Sequence, residues 1–284
     1  MPQPILELGG HADNPLINLL PANGFVPETY HPLMASFTDA YRVISTPPRA
    51  LWGDGAPPVN TLDHSWYNVA DDLLNAHKHF DLPPSILIGH SIGGVLAILA
   101  SCQRPSAVRA LILLDPVILP RAACDWMREQ RQQGEPLNPQ LAERALRRRA
   151  QFASIEDAFD HFHGKSIFAD WADDTLRLYA EHGTIPCEGG RCLRWSPQWE
   201  AFYFSTYYTE IWDELPRLNA LDLPILFVAG GASDTFLPDT VQAVREIVPL
   251  AEYATLAGGG HLFPHSAPQA TAQIIADWLV THTS

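Results

Sequence analysis

Residues 85–100 read SILIGHSIGGVLAILA. A continuous apolar run enters a serine set among glycines, and a second apolar run leaves it. The first run has the length and branched composition of a strand covered on both faces; the second suits a buried helix. Ser91 then stands where strand turns into helix. So tight a turn forces the serine into a strained backbone conformation, and its neighbours two residues either side must be nearly bare. Gly89 and Gly93 meet that demand. A hydroxyl pushed out of the core at a strained bend has a chemical use more readily than a packing one. The helix opening at Ile92 adds free N–H groups and a positive dipole end beside it.

Similar apolar runs recur along the chain: PLINLLPANG (15–24), YRVISTPP (41–48), RALILLDPVIL (109–119), PILFVAGGASD (224–234) and AEYATLAGGGH (251–261). Between them, 65–80, 93–103, 238–248 and 268–282 carry helical spacing. Strands alternating with helices predict βαβ units, hence an α/β fold with a doubly wound, mostly parallel sheet. The alternation stops between about 120 and 215, where the pattern predicts helices, no convincing strand, and many aromatics. One helix start is marked there by Ser154 with Asp157 three residues on, a capping-box arrangement. Some ninety such residues are too many for a simple crossover. We therefore expect a core formed by 1–119 and 216–284, with 120–215 inserted as a helical lid over the C-terminal edge of the sheet.

Charge and composition narrow the function. The 284 residues carry 18 basic and 32 acidic side chains, a formal charge of −14, which repels nucleic acid and anionic membranes. No apolar run approaches the ~18 residues needed to span a bilayer. The opening MPQPILELGGHADNP has no basic region followed by an apolar one, so a cytoplasmic location is expected. Arg147, Arg148 and Arg149 read as a solvated helix face. Cys102 and Cys124 read as small buried hydrophobes. Cys187 and Cys192, in CEGGRC, can close a hairpin, and a cytoplasmic setting favours the reduced pair. His161 and His163 read as a solvated helix end, and no metal is expected.

A serine hydroxyl becomes a nucleophile when a base takes its proton and a carboxylate holds that base. Asp234 lies just past one expected strand, and His261, 27 residues later, just past the next. Both would emerge on the sheet edge that carries Ser91. Asp115, at the end of RALILLD, is the alternative acid, although Asp115-Pro116 reads first as a strand end turning toward the insertion. His265 is the rival base, but Pro264 before it suggests the start of the last helix. His261 follows three glycines that let its loop come close. For an oxyanion, the candidate donors are the N–H of Ile92 and that of Phe25, after the early strand.

The segments ANGF (22–25), GHSIGG (89–94), LILLDP (111–116), GGASD (230–234) and GGGH (258–261) make the chain resemble the α/β-hydrolase superfamily, and within it lidded bacterial esterases. The resemblance implies a Ser-His-Asp triad and no cofactor; it implies no particular substrate. Many relatives have His-Gly before the oxyanion donor, whereas Asn23 stands here in the histidine's place. The expected activity is cleavage of a carboxylic ester, or a related acyl compound, of a largely apolar small molecule. The same triad could instead serve C–C bond hydrolysis, lactone hydrolysis or cofactor-free perhydrolysis. A non-catalytic binding protein on the same scaffold is the reading from another class. The sequence leaves oligomeric state open.

Overall fold

The computed structural model describes residues 5–52, 66–135 and 137–282. Ser65, expected to open a helix, and the extreme ends of the expected core lie outside the described residues. In chain order the strands are β1 (Leu6–Gly9), β2 (Leu16–Leu20), β3 (Arg42–Ser45), β4 (Ser85–His90), β5 (Val108–Leu114), β6 (Gln151–Phe152), β7 (Thr184–Cys187), β8 (Gly190–Leu193), β9 (Ile225–Gly230) and β10 (Glu252–Leu256). The helices are α1 (His31–Met34), α2 (Trp66–His79), α3 (Ile92–Gln103), α4 (Arg121–Gln132), α5 (Pro139–Leu146), α6 (Ile155–His163), α7 (Asp173–His182), α8 (Pro197–Ser205), α9 (Ile211–Asn219), α10 (Pro238–Ile247), α11 (Phe263–Ser266) and α12 (Pro268–His282).

Seven strands form the main sheet in the order β1-β3-β2-β4-β5-β9-β10. All neighbours are parallel except β1 and β3. β2, β4 and β9 are buried throughout, which is why they read as unbroken apolar runs rather than alternating ones. Alternate residues still face opposite layers. Ile17, Ile86, Ile88, Ile112 and Val228 pack against the α1 and α12 side, while Leu87, Leu111, Leu113 and Phe227 pack against α2, α3 and α10. Helices therefore cover both faces, as expected. β1 was not foreseen; it is a four-residue edge strand with half-exposed side chains, too short and mixed to announce itself.

Between β5 and β9 the chain adds α4 to α9, and also a strand element that the sequence had not suggested. β6, β8 and β7 form a small antiparallel sheet in that order. β7 and β8 are four residues each and only partly buried, so they lack an apolar run. Their hairpin closes through Gly189 and Gly190, at φ +81° and +143°, conformations that disfavour any side chain. Cys187 and Cys192 are disulfide-bonded across it, against the expectation of free thiols. The aromatics of the insertion are mostly core: Phe162, Phe168 and Tyr179 join one layer, and Trp199, Phe202 and Trp212 the other. α9 runs across the expected boundary at 215 and packs on α3. Ser154 does cap α6, its hydroxyl accepting the Asp157 N–H.

Candidate active site

β4 ends at His90 and α3 begins at Ile92, leaving Ser91 alone at the bend with φ +57° and ψ −119°. A side chain held there costs on the order of 1–3 kcal/mol. The surroundings hold it by backbone bonds. Ser91 N–H donates to Leu114 C=O at 3.0 Å, and Ser91 C=O accepts from Gly94 at 3.1 Å and Val117 at 3.2 Å. A Cβ on Gly89 would stand 2.4 Å from the Gly93 oxygen, and one on Gly93 would stand 2.1 Å from the Leu20 oxygen. The second approach sets the loop after β2 directly against the bend.

His261 reaches this bend from the loop after β10. Gly230 permits it, because a Cβ there would lie 2.5 Å from the Gly259 oxygen. The imidazole Nε2 lies 3.0 Å from Ser91 Oγ, and Nδ1 lies 2.7 Å from Asp115 Oδ2. With Asp115 ionised, it accepts from Nδ1–H, which leaves the Nε2 lone pair for the serine proton. Asp115 is wholly buried at φ +42°. Its carboxylate also accepts from Gly230 N–H at 2.9 Å and from Ser233 Oγ–H at 2.5 Å.

The carboxylate on His261 is therefore Asp115, and the preference for Asp234 is corrected. Asp234 is exposed, and among the described residues its carboxylate accepts only a long 3.3 Å bond from the adjacent Thr235 hydroxyl. The β9 turn does point one side chain at the site, but it is Ser233, one residue earlier, which supports Asp115. β5 lies beside β4, so the residue after β5 emerges next to the bend. Positive φ then swings its side chain inward, a conformation Asp tolerates better than most residues.

His265, the rival base, lies in α11, fully buried. Its Nε2 faces Thr29 Oγ1 at 3.1 Å, and its ring stacks on Trp171 with centroids 4.4 Å apart. Burial, then the nearby His261, pushes its pKa down to about 3. It makes no bond to Ser91. His163 stands exposed, 3.6 Å from the Asp173 carboxylate. Among the described residues no three His, Cys, Asp or Glu side chains gather as a metal-binding group.

Of the two candidate oxyanion donors, Ile92 N–H opens α3 and has no acceptor within the helix. Phe25 N–H is engaged: it donates to Ala22 C=O at 3.2 Å, closing a turn in which Gly24 takes φ +86°. The insertion grips this turn. Tyr179 O–H donates to Gly24 C=O at 3.0 Å, and Asn23 Nδ2 donates to Glu200 C=O at 3.1 Å. Arg148 ties the two together, donating to Tyr179 Oη at 2.8 Å and pairing with the Glu200 carboxylate. Arg148 is thus turned inward, not solvated as its run of three arginines suggested. Burial works against its charge, and Tyr179 and Glu200 more than offset this. Arg148, Tyr179, Glu200 and Ser233 carry no sequence signature; only the fold brings them here.

No helix among the described residues is long and apolar enough to cross a membrane. Compared with known proteins, the chain is 22% identical over 252 residues to 2-(acetamidomethylene)succinate hydrolase of Mesorhizobium japonicum, spanning 88% of this chain and 82% of that one. It is 26% identical over 224 residues to a proline iminopeptidase of Lactobacillus delbrueckii subsp. lactis, spanning 74% and 70%. A solved structure of E-2-(acetamidomethylene)succinate hydrolase superposes with a TM-score of 0.73 at 20% identity, over 97% of this chain and 94% of the other, a likeness of fold. The model of the alpha/beta hydrolase family matches residues 19–274, taking in the serine bend, the β5 and β9 turns and His261 together. With sheet order, bend and match in agreement, the chain belongs to the alpha/beta hydrolase family.

Proposed function

We propose that the protein is a serine hydrolase that cleaves a carboxylic ester, or a closely related acyl compound, through an acyl-enzyme. The observation carrying this reading is the continuous line Ser91 Oγ, His261 imidazole, Asp115 carboxylate, at 3.0 and 2.7 Å. Ser91 Oγ attacks the carbonyl carbon while its proton passes to His261 Nε2, and the carbonyl π pair moves onto oxygen. Asp115 stabilises the imidazolium. Ile92 N–H and Phe25 N–H receive the oxyanion, the latter as a donor shared with Ala22 C=O. Collapse expels the alkoxide, which takes the proton from His261. Water then attacks the acyl carbon, its proton goes to His261, and the Ser91 hydroxyl is restored as the acid leaves.

A largely apolar substrate group is supported by the mostly apolar lining of a narrow cleft beside the bend. Leu20, Pro21, Ile92, Leu96, Trp195 and Tyr203 wall it, Thr46 and Asp72 also reach its lining, and its free volume is about 20 Å³. Amide cleavage is the second reading, because the relatives include an iminopeptidase. The same residues would serve, with His261 protonating the leaving amine. Labelling by a fluorophosphonate probe, followed by turnover of paired p-nitrophenyl esters and p-nitroanilides, tests both. Ser91→Ala should abolish labelling and lower ester turnover about 10⁴–10⁶-fold with the fold intact. Near-native hydrolysis by that variant would end the assignment, and faster anilide than ester turnover would move it to amides.

A further inference from the structure

His90 is the residue between Gly89 and Ser91, and its side chain has so far had no role. It shares a face of β4 with Ile86 and Ile88, within an apolar layer, and is completely buried. An imidazole in such a place is costly unless both ring nitrogens are hydrogen-bonded. Both are. Nε2 lies 2.9 Å from the backbone carbonyl oxygen of His261, and Nδ1 lies 2.7 Å from Tyr30 Oη. That phenol oxygen in turn accepts the Ala22 N–H at 2.9 Å.

The partners and the burial of the ring together fix its protons. A carbonyl oxygen only accepts, so Nε2 must carry hydrogen. Burial keeps the ring neutral, so Nδ1 is a lone pair and accepts the Tyr30 O–H, whose oxygen receives the Ala22 amide. The ring is one neutral tautomer, with Ala22 N–H donating to Tyr30, Tyr30 O–H to His90, and His90 Nε2–H to His261. Burial above all, then the rings of His261 and His265, holds its pKa well below the ordinary value, while the His261 carbonyl works the other way. The two ends of this chain are the residue whose ring joins Ser91 to Asp115 and the residue that opens the Ala22–Phe25 turn.

We propose that His90 is a positioning residue that couples the two sides of the site, setting His261 against Ser91 and the Ala22–Phe25 turn against both through a single hydrogen-bonded ring. The proposal rests on the reading of Ser91 as nucleophile and His261 as base, and goes beyond it by naming what holds them in register. His90 touches neither the serine hydroxyl nor substrate, so it acts only through others.

Two substitutions separate positioning from simple core filling. The amide of an asparagine reaches about as far as Nδ1, so His90→Asn keeps a partner for Tyr30 and loses the bond to His261. The amide of a glutamine reaches about as far as Nε2, so His90→Gln keeps the bond to His261. With thermal midpoints recorded alongside ester kinetics, H90N should lower kcat about 10²-fold with KM within about twofold, and H90Q should recover kcat to within about fivefold of the native enzyme. Tyr30→Phe deletes one oxygen, frees the Ala22 amide, and should lower kcat about tenfold at unchanged KM. Equal losses in H90N and H90Q, an H90N loss carried by KM, or H90N kcat within about twofold of native would each overturn the proposal. If H90N does not fold, Y30F decides alone: kcat within about twofold of native overturns it. Fluorophosphonate labelling separates the two levels. An unlabelled native Ser91 overturns the functional reading and this proposal together, whereas labelled native protein with unaffected variants overturns only the role of His90.

Discussion

The turns after β5 and β9 leave adjacent strands at the same edge of the sheet, and each offers an aspartate to His261. They are not equivalent. Asp115 is buried, turned inward by a positive φ, and accepts three hydrogen bonds, from His261, Gly230 and Ser233. Asp234 is exposed and accepts one long bond from its own neighbour. Strand order alone does not choose between them. What chooses is whether the neighbouring turn supplies donors, since a buried carboxylate survives only when its oxygens are satisfied. Here the β9 turn gives up its own claim to the acid and supplies Gly230 N–H and Ser233 O–H to the acid from β5.

The largest effect is the one that would break this contrast. Asp115→Asn leaves the shape but presents an amide to His261, favouring the tautomer with hydrogen on Nε2, which cannot take the serine proton. Ester kcat should fall about 10⁴-fold. Asp234→Asn should stay within about twofold of the native rate, the ordinary result for an exposed side chain away from the reacting atoms. Measured side by side, the reverse ranking would return the acid to the β9 turn.

A smaller effect sharpens the contrast. Ser233→Ala removes the 2.5 Å donor to Asp115 Oδ2 and leaves the other two bonds in place. We expect kcat to fall about tenfold at constant KM, comparable to losing one charge-assisted hydrogen bond. An unchanged kcat would mean that Gly230 and His261 alone suffice to hold the carboxylate.

This contrast also marks where sequence reading stops. The runs that became β2, β4, β5 and β9 were legible because both faces of the sheet are covered, so burial shows as unbroken hydrophobicity. The bend at Ser91 was legible because steric demand at Gly89 and Gly93 is local. The close approach of the loop carrying His261 was expected from its three glycines, but the residue that must be bare for it is Gly230, since side chains at Gly258 and Gly260 would meet open space. The identity of the acid was not legible, since positive φ at Asp115 and the inward turn of Ser233 depend on neighbours more than 100 residues away in the chain. Arg148 shows the same limit. Its triplet looks like any solvated helix face, and only the arrival of Tyr179 and Glu200 makes an interior place for its charge. The small sheet of the insertion escaped because its strands are too short and too exposed for burial to leave a pattern.

His265 extends the comparison from a charge that the interior supports to one that it does not. Asp115 and His265 are both buried beside His261. Where Asp115 meets three donors, His265 has, among the described residues, one partner for Nε2 and none for Nδ1. Thr29 gives its own hydrogen to Val26 C=O at 2.7 Å, so it can accept from Nε2–H. A second proton on the ring would find no acceptor at Nδ1. The imidazole thus stays neutral in the folded protein down to a pKa of about 3, against an ordinary 6.5. The unfolded chain takes up this proton as pH falls through about 6.5, while the folded chain refuses it. The stability tied to this ring is therefore complete above that pH and is lost toward pH 3, by about 1.4 kcal/mol for each pH unit. His265→Phe keeps an aromatic ring against Trp171 and Phe25 and cannot take a proton. Denaturant unfolding between pH 7 and 4 should show a shallower fall for this variant, by close to one proton. His77, His90 and His161 also have lowered pKa values; His77 and His161 contribute equally to both proteins, and His90, held down first by burial, loses only the smaller push of the His265 ring, so the difference reports chiefly on His265. Parallel slopes would show that the ring already carries its charge in the folded state, and that the interior beside His261 supports more than the one ion at Asp115.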